Sequence, residues 1–214
     1  MLSMGQTSLA GPCLRGQEPV SVAYAYDYGP YTVEDLHGLP DNGRSRELVD
    51  GWLIELAPST RHDFLARRLS RILERAAEDA KARVYVQAPM DISTPSGARK
   101  PDVAVIDAAA ASSARKLGRS LYHGADVLLA VEVVSRASGS EREDRGRKVT
   151  EYALAGIPQY WIVDFDPEPR IQVLRLAENQ DRYGASLVFS GDDTVKIEDP
   201  FPVSFQVSDL LDFA

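Results

Sequence analysis

An α/β fold, with a central mixed β-sheet flanked by helices and additional antiparallel strands, is predicted by three features of the sequence. Two apolar runs joined by Asp50-Gly51 signal a hairpin. A long amphipathic helix over residues 60–80 separates that hairpin from the strands that follow, the order of an α/β core. One later run, 127–134, is almost continuously apolar, as expected of a central strand covered on both faces.

Each element has its own signal. Residues 1–27 are rich in small residues, Gly and Pro and lack periodicity, so they read as a flexible leader before one domain at 28–214. Thr32 with Asp35 forms a capping box for a short helix, and Leu39 to Gly43 breaks the chain. The hairpin joins Glu47-Leu48-Val49 to Trp52-Leu53-Ile54-Glu55-Leu56, with Pro58 beyond it. In the 60–80 helix, Leu65, Leu69, Ile72 and Ala76 share one face. Arg67, Arg71 and Arg75 lie on another, solvated face, and Thr60 with Asp63 caps the start. Strands are expected at 84–92, 102–106, 127–135 and 160–164, from their β-branched content. The Ala/Ser-rich 108–120 stretch reads as a loop or short helix. A second helix at 141–155 is bounded by a Ser140/Glu143 capping box and by Gly156 and Pro158. From Ile171 onward the pattern is of antiparallel strands, with turns at 179–183 and 191–193.

Composition sets limits. A chain of 214 residues, 44% hydrophobic and 26% charged, buries enough surface to fold without a staple. The single cysteine, Cys13, excludes an internal disulfide and fits a reducing cytoplasm. No apolar run is long enough to span a membrane and no signal peptide is evident. The net charge of −8 argues against tight, non-specific nucleic-acid binding, which relies on Lys and Arg at phosphates.

Two acids stand out because each sits in an apolar strand, where an ionised carboxylate is costly unless paired or bound to metal. Asp102 follows Pro101 and shares its strand face with Ala104 and Ile106. Glu132 lies in Val131-Glu132-Val133-Val134-Ser135 and shares its face with Ala130 and Val134. If the two strands are neighbours, the carboxylates converge, and oxygen ligands suit Mg²⁺ or Mn²⁺. Lys148, at the edge of a helix's buried face, can orient or deprotonate a water and offset phosphate charge. Glu47 is a candidate third acid, His62 faces inward near a helix start, and Gln87 is placed at the same cleft. Asp144 is read as a support for Lys148; Tyr152 and Trp161 are read as packing residues.

The ordered set Glu47-Leu48-Val49-Asp50-Gly51, His62, Pro101-Asp102, Val131 to Ser135, Asp144, Lys148, Tyr152 and Gly156 to Asp164 resembles the Uma-two family. That family is restriction-endonuclease-like, within the PD-(D/E)xK nuclease superfamily, and the resemblance covers roughly residues 30 to 210. It implies a restriction-endonuclease-like core and metal-binding roles for Asp102 and Glu132. The expected metal ligands are Asp102, Glu132 and Val133; the expected catalytic set is Asp102, Glu132, Lys148, Glu47 and His62. One departure stands out: Val134 occupies the position where a plain ExK motif carries lysine, and the resemblance implies that Lys148 supplies the ammonium instead. The function expected is an Mg²⁺- or Mn²⁺-dependent endonuclease acting on DNA, as a cytoplasmic homodimer. The alternatives are an inactive nuclease-fold binding module and a metal-dependent hydrolase of another substrate.

Overall fold

The structure is a computed structural model in which residues 29–40, 43–87, 89–136, 139–178 and 181–211 are described. The expected leader at 1–27 and part of the 179–183 turn lie outside the described residues. The elements are α1 (Val33–Gly38), β1 (Ser45–Val49), β2 (Trp52–Leu56), α2 (Thr60–Asp79), β3 (Val84–Gln87), β4 (Ile92–Thr94), β5 (Gly97–Arg99), β6 (Val103–Asp107), α3 (Ala108–Lys116), β7 (Tyr122–His123), β8 (Val127–Val134), α4 (Gly139–Arg142), α5 (Lys148–Leu154), β9 (Gln159–Asp164), β10 (Arg170–Leu176), β11 (Tyr183–Ser190), β12 (Thr194–Ile197) and β13 (Val203–Gln206). A mixed six-stranded sheet runs β11-β10-β9-β8-β6-β3, with β8 and β9 parallel and the other pairs antiparallel. A five-stranded sheet runs β2-β1-β5-β4-β7, and β12 pairs with β13. This is the expected α/β class: mixed sheets flanked by helices, with added antiparallel strands.

Strand alternation divides the core. Leu129, Val131 and Val133 of β8 pack with Leu65, Leu69 and Leu73 of α2 and with Val195 and Phe205 of the β12–β13 ribbon. Ala130 and Val134 face the other side, among Ala104, Ile106, Tyr152 and Tyr160. Each large apolar side chain so buried contributes roughly 1.5–3 kcal/mol.

Local chemistry explains most boundaries. Thr32 and Asp35 form the expected capping box on α1. Asp50 (φ 48°) and Gly51 (φ 80°) both adopt the positive φ of a type I′ hairpin turn. The cap of α2 falls one residue before the expected Thr60: Ser59 accepts the His62 N–H at 3.2 Å. The expected strand at 84–92 divides between the two sheets, with Pro89, which has no N–H to donate, between β3 and β4. Residues 108–116 form a helix because the Asp107 carboxylate accepts the Ala109 and Ala110 N–H groups at 2.9 and 3.0 Å. The helical segment already begins at Gly139, ahead of the expected Ser140/Glu143 cap. Ser140 lies inside α4, and Glu143 opens a π-helical stretch, Glu143–Arg147, and directs its carboxylate to Arg99.

The short strand β5 ties the second sheet to the centre of the molecule. Leu48 pairs with Ala98 and Val49 with Gly97, which sets Arg99 opposite Glu47. Gly97 has φ +139°, and a Cβ there would lie 2.5 Å from the Leu48 carbonyl oxygen. Gly97→Ala is therefore expected to destabilise the protein by more than about 1 kcal/mol. Thermal melting followed by circular dichroism measures this, and an unchanged midpoint would contradict the register.

Candidate active site

The β6–β8 register assembles the first part of the site. Ala104 pairs with Ala130 and Val103 with Val131, so the next position along sets Asp102 opposite Glu132. Asp102 stands just before β6. Its Oδ2 accepts the Val133 N–H at 2.7 Å and lies 3.0 Å from His62 Nε2. Glu132 is 3% exposed, on the face shared with Ala130 and Val134.

The chain leaving β8 crosses over through α4, the π-helical stretch and α5 before returning as β9, parallel to β8. This crossover lays Lys148 against Glu132. A π turn carries an extra residue; here the Lys148 N–H bonds the Glu143 carbonyl, and both Asp144 and Lys148 are buried. Lys148 Nζ lies 2.9 Å from Glu132 Oε1, 3.1 Å from Glu47 Oε1 and 3.0 Å from Asp144 Oδ1. Asp144 Oδ1 makes no well-directed hydrogen bond, so that contact is an ion pair by proximity. Tyr152 donates its hydroxyl to Glu132 Oε1 at 2.6 Å, and Tyr160 donates to the Asp144 carbonyl at 2.8 Å.

Arg99, fully buried, forms the other half of the network. Its guanidinium donates to Glu47 Oε2 at 2.9 Å, to both Glu151 oxygens at 2.6 and 2.9 Å, and to Glu143 at 3.1 Å. The Lys100 N–H also donates to Glu47 Oε1, at 3.0 Å. Glu47 is thus fixed by Arg99, Lys100 and Lys148 together.

Burial and charge set the proton affinities. Burial pushes the Glu132 carboxyl well up; Lys148 opposes this, while Asp102, then Asp144 and Glu47, push it further. Of the three acids, Asp102 acts most strongly on Glu132, in keeping with its place at the sheet end. Burial lowers the Lys148 ammonium, but Glu132, Glu47 and Asp144 outweigh it and hold the group well above its ordinary value. Burial raises Glu47, yet Lys148 and Arg99 bring it below the ordinary range. His62 is lowered by burial and raised more by Asp102, for a net rise. Burial and the Glu132 charge keep the Tyr152 hydroxyl protonated and donating.

The donor set fits a hard divalent ion. Glu47, Asp102, Glu132 and Asp144 outnumber the cations among them. The hydrogen bonds to Glu132 and Asp102 use Oε1 and Oδ2, leaving one oxygen of each without a protein partner among the described residues. Among the described residues no three His, Cys, Asp or Glu groups form a ready metal cage. Mg²⁺ needs none, since one or two carboxylates with water and substrate phosphate suffice. Val133 has an apolar side chain in the core, so only its backbone carbonyl is available as a ligand.

A family model for Uma2, described as "putative restriction endonuclease", matches residues 33–213. The chain belongs to the Uma2 family. A crystal structure of a protein from Anabaena variabilis, described as a putative nuclease belonging to DUF820, has the same fold. Its TM-score is 0.65 at 16% identity, covering 85% of this chain and 97% of that one. The comparison with curated proteins gave no match. Among the described residues, no helix is long and apolar enough to cross a membrane.

In this Uma2 chain the structure groups Glu47, Glu132 and Lys148 directly, and sets Asp102 with His62 and Val133 at the adjoining strand end. Val134, at the usual lysine position of the motif, is buried core, and Lys148 occupies the space beside Glu132 from the crossover helix. Two expectations change. Lys148 is fully buried rather than at the edge of a buried face, and Gln87 faces a neighbouring cavity rather than the carboxylates. Tyr152, read as packing, bonds Glu132. Arg99 was not anticipated, because Gly97-Ala98-Arg99 is too short to show strand alternation; Tyr160 likewise carries no signal beyond its strand.

Removing Arg99 leaves Glu151 without its buried cation and Glu47 with Lys148 alone. Arg99→Leu is expected to destabilise by about 3–5 kcal/mol, measured by urea unfolding; a loss below about 1 kcal/mol would contradict the network's role. Glu151 is raised by burial, but the Arg99 hydrogen bonds outweigh this and depress it. A depressed carboxyl stabilises the fold above its unfolded-state pKa, and that contribution is lost as pH falls through its folded-state value. Glu151→Gln should therefore flatten the acid side of the melting-temperature profile. Parallel profiles for variant and wild type would refute this.

Proposed function

We propose that the chain is an Mg²⁺- or Mn²⁺-dependent endonuclease that hydrolyses phosphodiester bonds in DNA. The observation that carries this reading is the meeting of Glu132 with Lys148 at 2.9 Å, beside Asp102 at the neighbouring strand end. Membership of a family described as "putative restriction endonuclease", and likeness in fold to a structure described as a putative nuclease, support it.

In this reading Asp102 and Glu132 would hold the ion through the oxygens that have no protein partner among the described residues, with the Val133 carbonyl available beside them. A divalent ion so held supplies Lewis-acid polarisation and a more acidic water. Lys148 acts as an ammonium: three carboxylates keep it protonated, so it steadies phosphoryl charge and orients the attacking water rather than taking its proton. Glu47 fixes Lys148, and Tyr152 fixes the Glu132 rotamer. His62, on Asp102 Oδ2, holds that carboxylate at the sheet end.

Plasmid cleavage with Mg²⁺ or Mn²⁺ tests the reading. Glu132→Ala and Lys148→Ala are expected to cut cleavage at least about a hundredfold, the scale of one preorganised electrostatic group. Wild-type rates in Glu132→Ala would mean that other groups do the chemistry. A second reading, an inactive binding module, is favoured by one observation: Lys148 already neutralises Glu132. Calorimetric titration with Mn²⁺ separates the two, since the enzyme reading requires binding that Asp102→Ala abolishes.

A further inference from the structure

Next to Lys100, β3, α3, β7 and the segments between them line an open cavity of about 430 Å³, with Tyr85, Gln87, Lys100, Arg115, Arg119 and Tyr122 in its wall. It lies on the same sheet face as Glu132. Tyr85 pairs with Ile106 and Gln87 with Ala104, and Ala104 and Ile106 pack in the core that holds Ala130 and Val134. Ala104 is two residues from Asp102, roughly 7 Å along a strand. Lys100 is the shared wall: its N–H bonds Glu47, and its ammonium lies 3.2 Å from Asp91 Oδ1.

The lining is cationic in a chain of net charge −8. Asp91, the one carboxylate among the described lining residues, is ion-paired with Lys100 and lies 3.1 Å from His37 Nε2, and His37 Nδ1 contacts Ser120 Oγ at 2.8 Å. The side chains of Arg119 and Gln87 have no partner among the described residues. Tyr122 is 7% exposed, yet its hydroxyl also lacks a protein partner among the described residues. The Arg115 guanidinium lies 4.4 Å over the Tyr85 ring, a flat cationic platform. Guanidinium planes and aromatic rings stack nucleobases, a side-chain amide reads a base edge, and an unpaired arginine takes a phosphate.

We propose that this cavity is a nucleotide subsite, which takes one nucleotide of the strand whose adjacent phosphodiester lies at Glu132 and Lys148. The proposal rests on the nuclease reading above. Arg119 contacts phosphate, Arg115 on Tyr85 stacks the base, and Gln87 and Tyr122 meet its polar edge. These are binding residues with no part in bond cleavage.

The test reads binding without cleavage, using the full chain in a chelator. A labelled single-stranded oligodeoxynucleotide is titrated by fluorescence anisotropy against wild type, Arg119→Ala, Gln87→Ala and Lys196→Ala. Lys196 is exposed on β12, which packs on the opposite sheet face, so its variant removes the same charge away from the cavity. Arg119→Ala is expected to weaken binding about tenfold, and Gln87→Ala severalfold, with little change in Lys196→Ala. Free dAMP should compete for wild type and compete poorly for Arg119→Ala. Equal affinities across all three variants would overturn the subsite. Cleavage is scored apart: DNA cutting with unaffected cavity variants removes the subsite and leaves the nuclease reading. Absent cutting with weakened cavity variants keeps the subsite and removes the nuclease.

Discussion

Two buried cations, Lys148 and Arg99, hold together carboxylates from separate parts of the chain. Glu47 comes from β1, Glu132 from β8, Asp144 from the π-helical stretch and Glu151 from α5. Neither sheet alone brings these groups into reach. The five-stranded sheet delivers Glu47 and Arg99 by the β1–β5 register, and the six-stranded sheet delivers Glu132. The crossover helix stands between them and makes contact with both. Removing Lys148 would leave Glu132 buried with no cation, and removing Arg99 would leave Glu151 without its buried one, a costly state for a charge in a protein interior.

Such a network is a poor way to gain stability, because desolvating the ions offsets most of their attraction. An apolar core would serve folding as well. The network's position explains it better: it fixes the Lys148 ammonium and one oxygen of Glu132 while leaving Asp102 and Glu132 each an oxygen without a protein donor among the described residues. The π turn fits the same account, since such turns often occur at functional sites. The excess of acids over cations leaves the centre short of positive charge, which a divalent ion and a substrate-bound cation shell can supply.

The sequence was most legible where a signal is local or periodic. Asp50-Gly51 announced the hairpin, the leucines of α2 announced its buried face, and the apolar run of β8 announced a central strand. Glu132 stood out because a carboxylate among apolar neighbours has few innocent explanations; Asp102, after Pro101, reads as readily as a turn residue, and the family resemblance singled it out. Arg99 was not legible, because its strand has three residues and its partners lie about 50 positions away in both directions. The π turn was hidden because its sequence also suits an ordinary helix, and Glu143, which looked like part of a cap, bonds Arg99 instead. Tyr152 looked like packing because its ring does pack; the reach of its hydroxyl depends on tertiary placement.

The central claim is that Asp102 and Glu132 share one divalent ion beside the Lys148 ammonium. Anomalous diffraction from a crystal soaked in Mn²⁺ tests it most directly. The account predicts a single strong peak within about 2.0–2.3 Å of an oxygen of each carboxylate, with Lys148 Nζ still on Glu132. An empty centre at saturating Mn²⁺, or a peak that engages neither acid, would contradict it.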